Sequence, residues 1–421
     1  MSLFERHESN VRRYCRDFPV MFKRAEQSFM YDVEDNRYID FLCAAGSLNY
    51  GHNHPHLKNA ILEYIHANGV MQSLDLYTEA KYRFVEALQT TILAPRGLVY
   101  KQQFTGPTGT NAVEAALKLA RKVTGRSSLV AFTNAFHGVS LGALAATASA
   151  SKRQAAGVSL DNVIRLPYEG FLGGDRDDDA RYVEAMLTHP GSGLEAPAAI
   201  ILETIQGEGG LQTASAAWLQ RIAAIAAKIG ALIIIDDIQT GCGRTGTFFS
   251  FEGLPIVPDI VCMSKSLSGS GLPMSVVLLA PKHDIWAPGE HNGTFRGNNL
   301  AFVSARAALD LWRDESFLAG LRRNVDHLKT RLQDIVQTYG HGLVLKGRGL
   351  IRGIELSDPA LAQQIKMEAF KRRVVVETCG PSDTVIKLMP PLTVDAEVLN
   401  EGLDALAKSF GQVLAARPQG R

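Results

Sequence analysis

The sequence ALIIIDDIQTG at 231–241 is the most informative about the fold. Five apolar residues precede Asp236, and an uninterrupted run of this length predicts a strand that is buried on both faces. Similar runs occur at 129–133, 198–203, 259–263 and 275–280, and helical periodicity occurs between several of them, at 111–123 and 215–229. Strands that alternate with helices predict an α/β protein with a mostly parallel sheet flanked by helices.

Outside this region the sequence pattern changes. Residues 301–314 and 315–339 predict long charged helices, and short strands at 347–357 and 373–378 precede a last helix at 395–414. We interpret this part as a smaller α+β domain. Near the N-terminus a hairpin is predicted around Asp35 and Asn36. The predicted division is an N-terminal segment at 1–55 that packs with the small domain, a large domain at 56–308 and a small domain at 309–421.

Composition excludes several classes of protein. The 44 Lys and Arg residues nearly balance 43 Asp and Glu, and a net charge of +1 argues against nucleic-acid binding and against a polybasic membrane anchor. Five cysteines without a C-x-x-C pair predict neither a disulfide framework nor a zinc site. No apolar stretch reaches the about 18 residues of a membrane span, and the N-terminus lacks an apolar signal core. We therefore expect a protein of the reducing cytoplasm.

Two motifs suggest chemistry that their surroundings do not support. GCGRTG at 241–246 matches the dinucleotide pattern G-x-G-x-x-G, but no helical sequence follows it, so we interpret it as a glycine-rich loop. His52, His54 and His56 alternate as metal ligands on a strand would, but Pro55 interrupts the strand and no carboxylate or cysteine completes the set nearby. A polar turn is the better interpretation, and no metal site is predicted.

Three other features are complementary in their chemistry. In FTGPTGTNAVEAALKLA at 104–120, a Gly/Thr turn leads into a helix whose first amides are free to bind a phosphate. Asp236 ends a core strand, where a carboxylate is costly unless a cation meets it. Lys265, in PDIVCMSKSLSGSGLPM at 258–274, ends another apolar strand among small residues. An amine for an imine, a carboxylate for the pyridine nitrogen and amides for the phosphate are what pyridoxal 5'-phosphate requires.

With these residues in place, the chain resembles class III, fold-type I aminotransferases along essentially its whole length. The resemblance is carried by LNYGHNHP, QFTGPTGTNAVEAALKLARKVTGR, ETIQGEGG, DDIQTGCGRTGTFFSFE, SKSLSGSGLP and PGEHNGTFRGNNLAFV. Within that class these strings are similar to the diaminobutyrate–2-oxoglutarate aminotransferases, which open ectoine synthesis. The resemblance implies a pyridoxal phosphate enzyme that makes L-2,4-diaminobutyrate and 2-oxoglutarate from L-aspartate 4-semialdehyde and L-glutamate. The alternative is another class III ω-aminotransferase, acting on ornithine, 4-aminobutyrate or a β-amino acid.

The resemblance also implies roles for individual residues around the cofactor ring. Lys265 is implied to hold the cofactor as an imine and then to carry the proton during the reaction. Asp236 is implied to bond the pyridine nitrogen, and Gln239 to approach the ring hydroxyl. Ile238 and Phe136 are implied to lie on opposite faces of the ring, and His137, which follows Phe136, is implied to belong to the cofactor site as well.

The cofactor phosphate is implied to bind at two places. Gly109 and Thr110 are implied to contact it at the start of their helix. Thr294, in HNGTFRGNN, is implied to reach the phosphate in the other subunit, which makes a homodimer the minimal active unit.

The substrate contacts are expected at three residues, which are Glu203, Glu208 and Lys387. Many relatives place an arginine where this chain has Lys387, and a lysine keeps the charge but loses the bidentate fork. An arginine that other relatives use for the distal carboxylate is replaced by Val139. We expect Glu208 to pair with Lys387 and to swing aside when glutamate binds.

Overall fold

The computed structural model describes residues 3–174, 177–340 and 342–415. The chain begins with the short helices Leu3–His7 and Tyr14–Asp17. A small antiparallel sheet follows, formed by β1 (Phe22–Glu26), β2 (Phe29–Asp32) and β3 (Arg37–Asp40). The hairpin predicted at Asp35 and Asn36 is confirmed, because Asp35 has a φ of 66° and the Asn36 amide donates to Asp32 Oδ1 at 2.9 Å. A tight left-handed turn, Cys43–Gly46, comes next.

The central sheet has seven strands, accompanied by one small hairpin. In chain order these elements are β4 (Lys101–Phe104), β5 (Leu129–Phe132), β6 (Val163–Leu166), β7 (Ala199–Leu202), the hairpin of β8 (Ile205–Gln206) and β9 (Gln212–Thr213), β10 (Leu232–Asp236), β11 (Ile260–Met263) and β12 (Val276–Leu279). The order across the sheet is β4-β12-β11-β10-β7-β5-β6. β12 alone runs opposite to the other six strands, so the mostly parallel sheet is confirmed.

Helices cover both faces of this sheet. They are Pro55–His66, Glu79–Ala87 with its π-helical continuation Leu88–Leu93, Gly109–Thr124, Leu141–Ala146, Ala150–Arg153, Asp178–Thr188, Ala216–Ile229 and Asn299–Leu311. Strand β10 shows why an uninterrupted apolar run is needed. Ile233 and Ile235 belong to the same buried cluster as residues of Ala216–Ile229, whereas Ile234 belongs to the cluster of Gly109–Thr124 on the other face.

The C-terminal part forms a second, antiparallel sheet. Its elements are the helix Glu315–Tyr339, β13 (Val344–Arg348), β14 (Ile351–Glu355), the helix Pro359–Lys371, β15 (Val374–Val375), β16 (Glu377–Cys379), β17 (Val385–Leu388) and the helix Ala396–Ala415. The sheet order is β13-β14-β17-β16, while β15 pairs in parallel with β3 and joins the two ends of the chain. The helix Asn299–Leu311 runs through the predicted boundary at 308, and the domain boundaries stay predictions.

Two sequence expectations for this part are corrected. The stretch 347–357 is not one strand, because positive φ angles of 77° at Gly347 and 66° at Gly349 turn the chain into the hairpin of β13 and β14. The stretch 373–378 is divided between β15 and β16, which belong to different sheets.

Two histidines of the GHNHPH motif, His52 and His56, have separate partners. His52 Nε2 lies 2.8 Å from Asp40 Oδ2, and His56 Nε2 lies 3.1 Å from Asp310 Oδ2. Over the three described ranges, no group of three His, Cys, Asp or Glu side chains could hold a metal ion. None of the helices described is both long enough and apolar enough to cross a membrane.

Candidate active site

The topology of the sheet brings Asp236 and Lys265 to one edge. Asp236 is the last residue of β10, and its partner in the neighbouring parallel strand β11 is Cys262. Lys265 follows β11 by two residues and begins a 3-10 turn, Lys265–Ser268. Because both strands end at the same edge, the two side chains emerge where open α/β sheets bind their ligands. Lys265 has a φ of 49°, an uncommon backbone conformation for a residue with a side chain.

The Lys265 amine is held by a backbone carbonyl that comes from far away in the sequence. Lys265 Nζ donates to Ala45 O at 2.9 Å, and Gln239 Nε2 donates to the same oxygen at 3.1 Å. Ala45 lies in the turn Cys43–Gly46, whose four residues have φ angles of 48°, 47°, 56° and 83°. This left-handed turn therefore fixes the acceptor that two site residues share.

Burial is the main cause that lowers the pKa of Lys265. The Glu208 carboxylate opposes this shift of the pKa, and the Lys387 ammonium adds to it. Lys265 thus gives up its proton more readily than an ordinary lysine. A neutral amine is the form that can act as a nucleophile or as a base.

Asp236 is buried and pairs with His137. Asp236 Oδ2 lies 2.7 Å from His137 Nδ1, and Oδ1 accepts from the Ile238 amide at 3.2 Å. Only 5% of the Asp236 side chain is exposed. The Thr147 hydroxyl fixes His137 by accepting from its amide at 2.9 Å. His137 Nε2 is buried and has no hydrogen-bond partner within the described ranges, which leaves a polar atom inside the site unsatisfied.

The predicted phosphate site is the start of the helix Gly109–Thr124. The first amides of a helix have no partner within it and attract anions. A Cβ added at Gly109 would lie 3.0 Å from two side-chain carbons of Ile238, so a larger residue here would press on the side chain that is expected to face the ring. The Thr110 hydroxyl contacts the hydroxyl of Ser140, which in turn donates to Glu114 Oε1 at 2.6 Å.

Glu203 supports the loop that carries Phe136. Its two carboxylate oxygens accept from the Phe136 and Gly207 amides, both at 3.1 Å. Burial raises the pKa of Glu203 to about 7, although the neighbouring His137 lowers it. The structure thus directs Glu203 toward the backbone, where it positions the aromatic ring that is expected to cover the cofactor.

Lys387 lies at the centre of an ion cluster. Its fully buried Nζ lies 2.9 Å from Glu208 Oε1 and 2.8 Å from Glu377 Oε1. It also donates to Gly207 O at 3.1 Å and to Gln239 Oε1 at 3.4 Å. The expected pairing of Glu208 with Lys387 is therefore present in the structure.

The charges of the cluster follow from this geometry. Burial alone would raise the pKa of Glu208, but the Lys387 and Lys265 ammonium groups lower it to about 2. Burial likewise opposes the charge of Lys387, yet the two carboxylates raise its pKa well above the ordinary value. Because Gln239 Nε2 also donates to Glu208 Oε1 at 3.2 Å, the cluster is linked through Gln239 and Ala45 to Lys265.

A cleft of about 430 Å³ opens onto Glu208 of this cluster. Phe136, Lys152 and Glu208 are among the residues that line it. Lys152 Nζ lies 5.4 Å from the centre of the Phe136 ring. Val139 is exposed.

Thr294 follows Gly293, which packs against Gly106 in the turn before the helix Gly109–Thr124 of the same chain. It begins a 3-10 turn, Thr294–Gly297, and is exposed in the single chain. Its predicted contact with a partner's cofactor remains a prediction.

Sequence reasoning did not identify Ala45, Tyr14, Lys152 or Glu377. Ala45 acts through its carbonyl, which carries no side-chain signal. Tyr14 and Glu377 lie 363 residues apart and meet only in the folded chain, where the Tyr14 hydroxyl donates to Glu377 Oε2 at 3.2 Å. Lys152, in ASASKRQ, could have been found only as the first of two cations that follow the uncharged run 127–151.

The residues present fit pyridoxal 5'-phosphate. A buried amine at Lys265, a buried carboxylate at Asp236 and a glycine-started helix supply the three groups that the cofactor requires. The unsatisfied His137 Nε2 is a further polar atom to be paired inside the site.

Comparison with known proteins agrees with this site. Residues 11–410 match the family model described as Aminotransferase class-III. A diaminobutyrate–2-oxoglutarate transaminase of Bordetella parapertussis is 52% identical over 99% of this chain and 96% of its own length. The protein of the same name from Vibrio cholerae is 52% identical over 97% of this chain and 99% of its own length.

Solved structures share the fold. An S-selective transaminase from Bacillus megaterium superimposes with a TM-score of 0.87 at 21% identity, covering 98% of both chains. The ornithine aminotransferase of Toxoplasma gondii, described with partial occupancy of PLP at its active site, gives a TM-score of 0.82 at 24% identity and covers 97% of this chain and 93% of its own. The chain belongs to the class III aminotransferase family and is a pyridoxal phosphate-dependent transaminase with the fold-type I architecture.

Proposed function

We propose that this transaminase moves the amino group of L-glutamate to the aldehyde of L-aspartate 4-semialdehyde. The products are 2-oxoglutarate and L-2,4-diaminobutyrate. The observation that carries the proposal is the sequence identity of 52% over nearly the whole chain to relatives that bear the name of this reaction. Use of the product for ectoine synthesis stays a prediction from the resemblance.

The residues at the sheet edge have distinct tasks. Bound pyridoxal phosphate supplies an electron sink for the bond that breaks next to the amino group. Lys265 is the residue that would hold the cofactor aldehyde, and its Nζ, with a lowered pKa, takes up and returns the proton. Asp236 would keep the pyridine nitrogen protonated, with His137 orienting its carboxylate. Phe136 and Ile238 would cover the two ring faces and exclude water.

The same site must accept two substrates with different shapes. Glutamate reacts at the amine beside its α-carboxylate, whereas diaminobutyrate reacts at its terminal amine. Glu208 paired with Lys387 leaves no free cation at this point, which suits the terminal-amine half-reaction. When glutamate binds, Glu208 would move aside and free a donor position on Lys387 for a carboxylate. Because Lys387 stays paired with Glu377, the pair presents little net charge to the substrate carboxylate.

The reaction is tested by mass spectrometry of the products. The holoenzyme is incubated with ¹⁵N-glutamate and aspartate semialdehyde, and the label is expected in the terminal amine of diaminobutyrate. Parallel incubations use ornithine, 4-aminobutyrate and β-alanine as donors to 2-oxoglutarate. Faster turnover of one of these donors, together with no diaminobutyrate from the semialdehyde, would identify the alternative ω-aminotransferase.

The Glu208 movement is tested separately with Glu208→Gln. The variant keeps the size of the side chain and loses the charge that pairs with Lys387. We expect kcat/KM to change in opposite directions for glutamate and diaminobutyrate. Unchanged kinetics in both half-reactions would defeat this part of the proposal.

A further inference from the structure

Two carboxylates surround one ammonium in the ion cluster. Lys387 and Glu377 stand directly opposite each other on the antiparallel strands β17 and β16, so their pairing is built into the sheet. Glu208 approaches from another part of the chain, the turn between β8 and β9. Lys387 thus has one partner within its own sheet and one that arrives from outside it.

The two carboxylates differ in how firmly they are held. Only 7% of the Glu377 side chain is exposed, and its second oxygen accepts from the Tyr14 hydroxyl. Glu208 has 33% of its side chain exposed and lines the substrate cleft. A substrate carboxylate can therefore displace Glu208 without disturbing Glu377.

The N-terminal segment reinforces this arrangement. Arg13, next to Tyr14, donates to both carboxylate oxygens of Asp383 at 3.0 and 3.1 Å. Asp383 lies in the loop that connects β16 to β17. The segment is thus attached to the loop beside Glu377, which keeps the Tyr14 hydroxyl in place.

A neutral Lys387 would react with the aldehydes that enter the site. A neutral amine attacks an aldehyde carbon, forms a C–N double bond and releases water, whereas an ammonium has no lone pair with which to attack. Lys387 contacts Gln239 and Glu208, and Gln239 shares the acceptor Ala45 O with Lys265, so the two amines belong to one network that aldehydes enter. The cofactor is an aldehyde, and so, under the proposed function on which this inference rests, is the amino acceptor.

We infer that Glu377, positioned by Tyr14, is the fixed counter-ion that keeps Lys387 an ammonium while Glu208 moves, so that Lys265 rather than Lys387 reacts with aldehydes. Glu377 is in this sense a positioning residue that separates the chemistry of two neighbouring lysines. The opposite directions of their pKa shifts, lowered for Lys265 and raised for Lys387, agree with this assignment.

The experiment measures the reactivity of the Lys387 amine. The holoenzyme is first treated with borohydride, which fixes the cofactor on Lys265, and is then exposed to formaldehyde and cyanoborohydride between pH 7 and 10. Formaldehyde forms an imine with a neutral amine, and hydride reduction leaves a methyl group that is counted by peptide mass spectrometry. Methylation of Lys387 is normalised to Lys228, whose side chain is 60% exposed.

In Glu377→Gln we expect Lys387 methylation at pH 8 to rise at least about tenfold, because a pKa lower by about one unit gives tenfold more free amine. The midpoint of its pH profile should fall accordingly. Glu377→Asp should restore much of the protection. In Glu208→Gln the rise should stay below about threefold, because Glu377 still balances the charge.

A matched control uses another lysine–glutamate pair of the same sheet. Lys346 Nζ lies 3.0 Å from Glu355 Oε2, and Glu355→Gln should change methylation of Lys346 and leave Lys387 unchanged. If Glu377→Gln does not fold, Tyr14→Phe carries the test, with a rise of at least about twofold expected.

Three outcomes overturn the inference. One is unchanged methylation of Lys387 in the Glu377 variant, or in Tyr14→Phe where that variant carries the test. The second is a larger rise in Glu208→Gln than in Glu377→Gln. The third is a rise at every pH without a shift of the midpoint, which indicates opened access. Since the probe is formaldehyde, failure of diaminobutyrate synthesis would be seen separately in the product assay.

Discussion

The adjacent carboxylates of Asp236 and Asp237 face different surroundings. Asp236 meets His137 at the ligand-binding edge of the sheet. Asp237 accepts from the Thr240 hydroxyl at 2.8 Å and from the Ser250 amide at 3.1 Å. Successive residues at the end of a strand point in opposite directions, so one acid serves the cofactor and the other the loop that follows.

The surroundings of Asp237 predict a pH-dependent stability. Burial raises the pKa of Asp237 from its ordinary value of 3.8 to about 6. Between these values the folded protein holds a proton that the unfolded chain releases, so the contribution of Asp237 to the free energy of unfolding falls as the pH rises. Asp237→Asn lacks this loss. Relative to the unsubstituted protein, its free energy of unfolding should therefore increase by up to about 3 kcal/mol as the pH rises from 4 to 7.

Urea unfolding at several pH values measures this difference. A constant offset between the two proteins reflects lost hydrogen bonds and does not affect the prediction. Thr240→Val serves as a control, because it removes one hydrogen bond but retains the acid. A difference that stays constant from pH 4 to pH 7 would show that Asp237 is ionised throughout this range.

From its position in the cleft, we predict that Lys152 contributes to substrate binding. It is a half-buried cation beside Phe136 in the cleft, and the described part of the structure gives it no carboxylate partner. Lys152→Gln should raise the KM for glutamate about five- to tenfold, which corresponds to about 1–1.4 kcal/mol. Lys152→Arg should stay within about twofold. The rate with alanine, which lacks the distal carboxylate, should not respond, and an equal loss for both donors would exclude the contact.

The sequence predicts the strands that are buried on both faces, because such burial requires an uninterrupted apolar run. The apolar runs at 129–133 and 231–236 correspond to β5 and β10 in the middle of the sheet. The edge strand β4, with the sequence KQQF, has no such run because its side chains are only half-buried or exposed. In β17, Lys387 interrupts the apolar pattern, and its charge is tolerated only because carboxylates from elsewhere surround it.

The same reasoning explains which site residues were predictable. Asp236 and Lys265 follow apolar strands, so local sequence already places them at a sheet edge. Glu377 and Tyr14 belong to different segments, and only the tertiary fold joins them. The backbone carbonyl of Ala45 could not be predicted from any side-chain pattern.

We predict that backbone strain in the left-handed turn Cys43–Gly46 affects the stability of the protein and of the site. An L-residue in this conformation costs roughly 1–2 kcal/mol, and a β-branched side chain raises the cost. Ala44 has a φ of 47° and an exposed side chain, so Ala44→Val changes the backbone preference with little effect on packing.

Because alanine already bears most of this cost, we expect Ala44→Val to lower the free energy of unfolding by about 1 kcal/mol and to weaken the hold of Ala45 O on Lys265. Ala44→Gly, which accepts positive φ freely, should stay within about 1 kcal/mol of the unsubstituted protein. Urea unfolding of both variants measures the effect. Equal stability of the valine and glycine variants would show that the turn adapts at no cost.

The site lies where the N-terminal part of the chain, the part with the central sheet and the C-terminal part meet. Arg244, fully buried in the glycine-rich loop, donates to Asn49 Oδ1 at 3.2 Å from Nε, to Leu350 O at 3.1 Å and to Pro390 O at 2.5 Å. These acceptors belong to the N-terminal and C-terminal parts. The loop that resembles a dinucleotide motif therefore connects parts of the fold.

The predicted homodimer can be tested through Thr294. Gly293, its neighbour, packs on its own chain, where an added Cβ would lie 3.2 Å from Gly106 N. Thr294 could thus serve the phosphate turn of its own subunit or, as the resemblance implies, that of the partner. Thr294→Ala should weaken cofactor binding about tenfold or more, because a hydrogen bond to a charged group contributes about 1.5–3 kcal/mol.

Hybrid dimers distinguish the two arrangements. Subunits with Lys265→Ala and with Thr294→Ala carry different affinity tags, are co-expressed, and the doubly tagged dimer is assayed at limiting cofactor. If Thr294 acts across the interface, the site that keeps Lys265 receives an intact Thr294 from the other subunit. The hybrid should then reach about half the activity of the unsubstituted dimer, although both parent dimers are impaired. Activity of only half that of the Thr294→Ala dimer would place Thr294 in its own subunit's site.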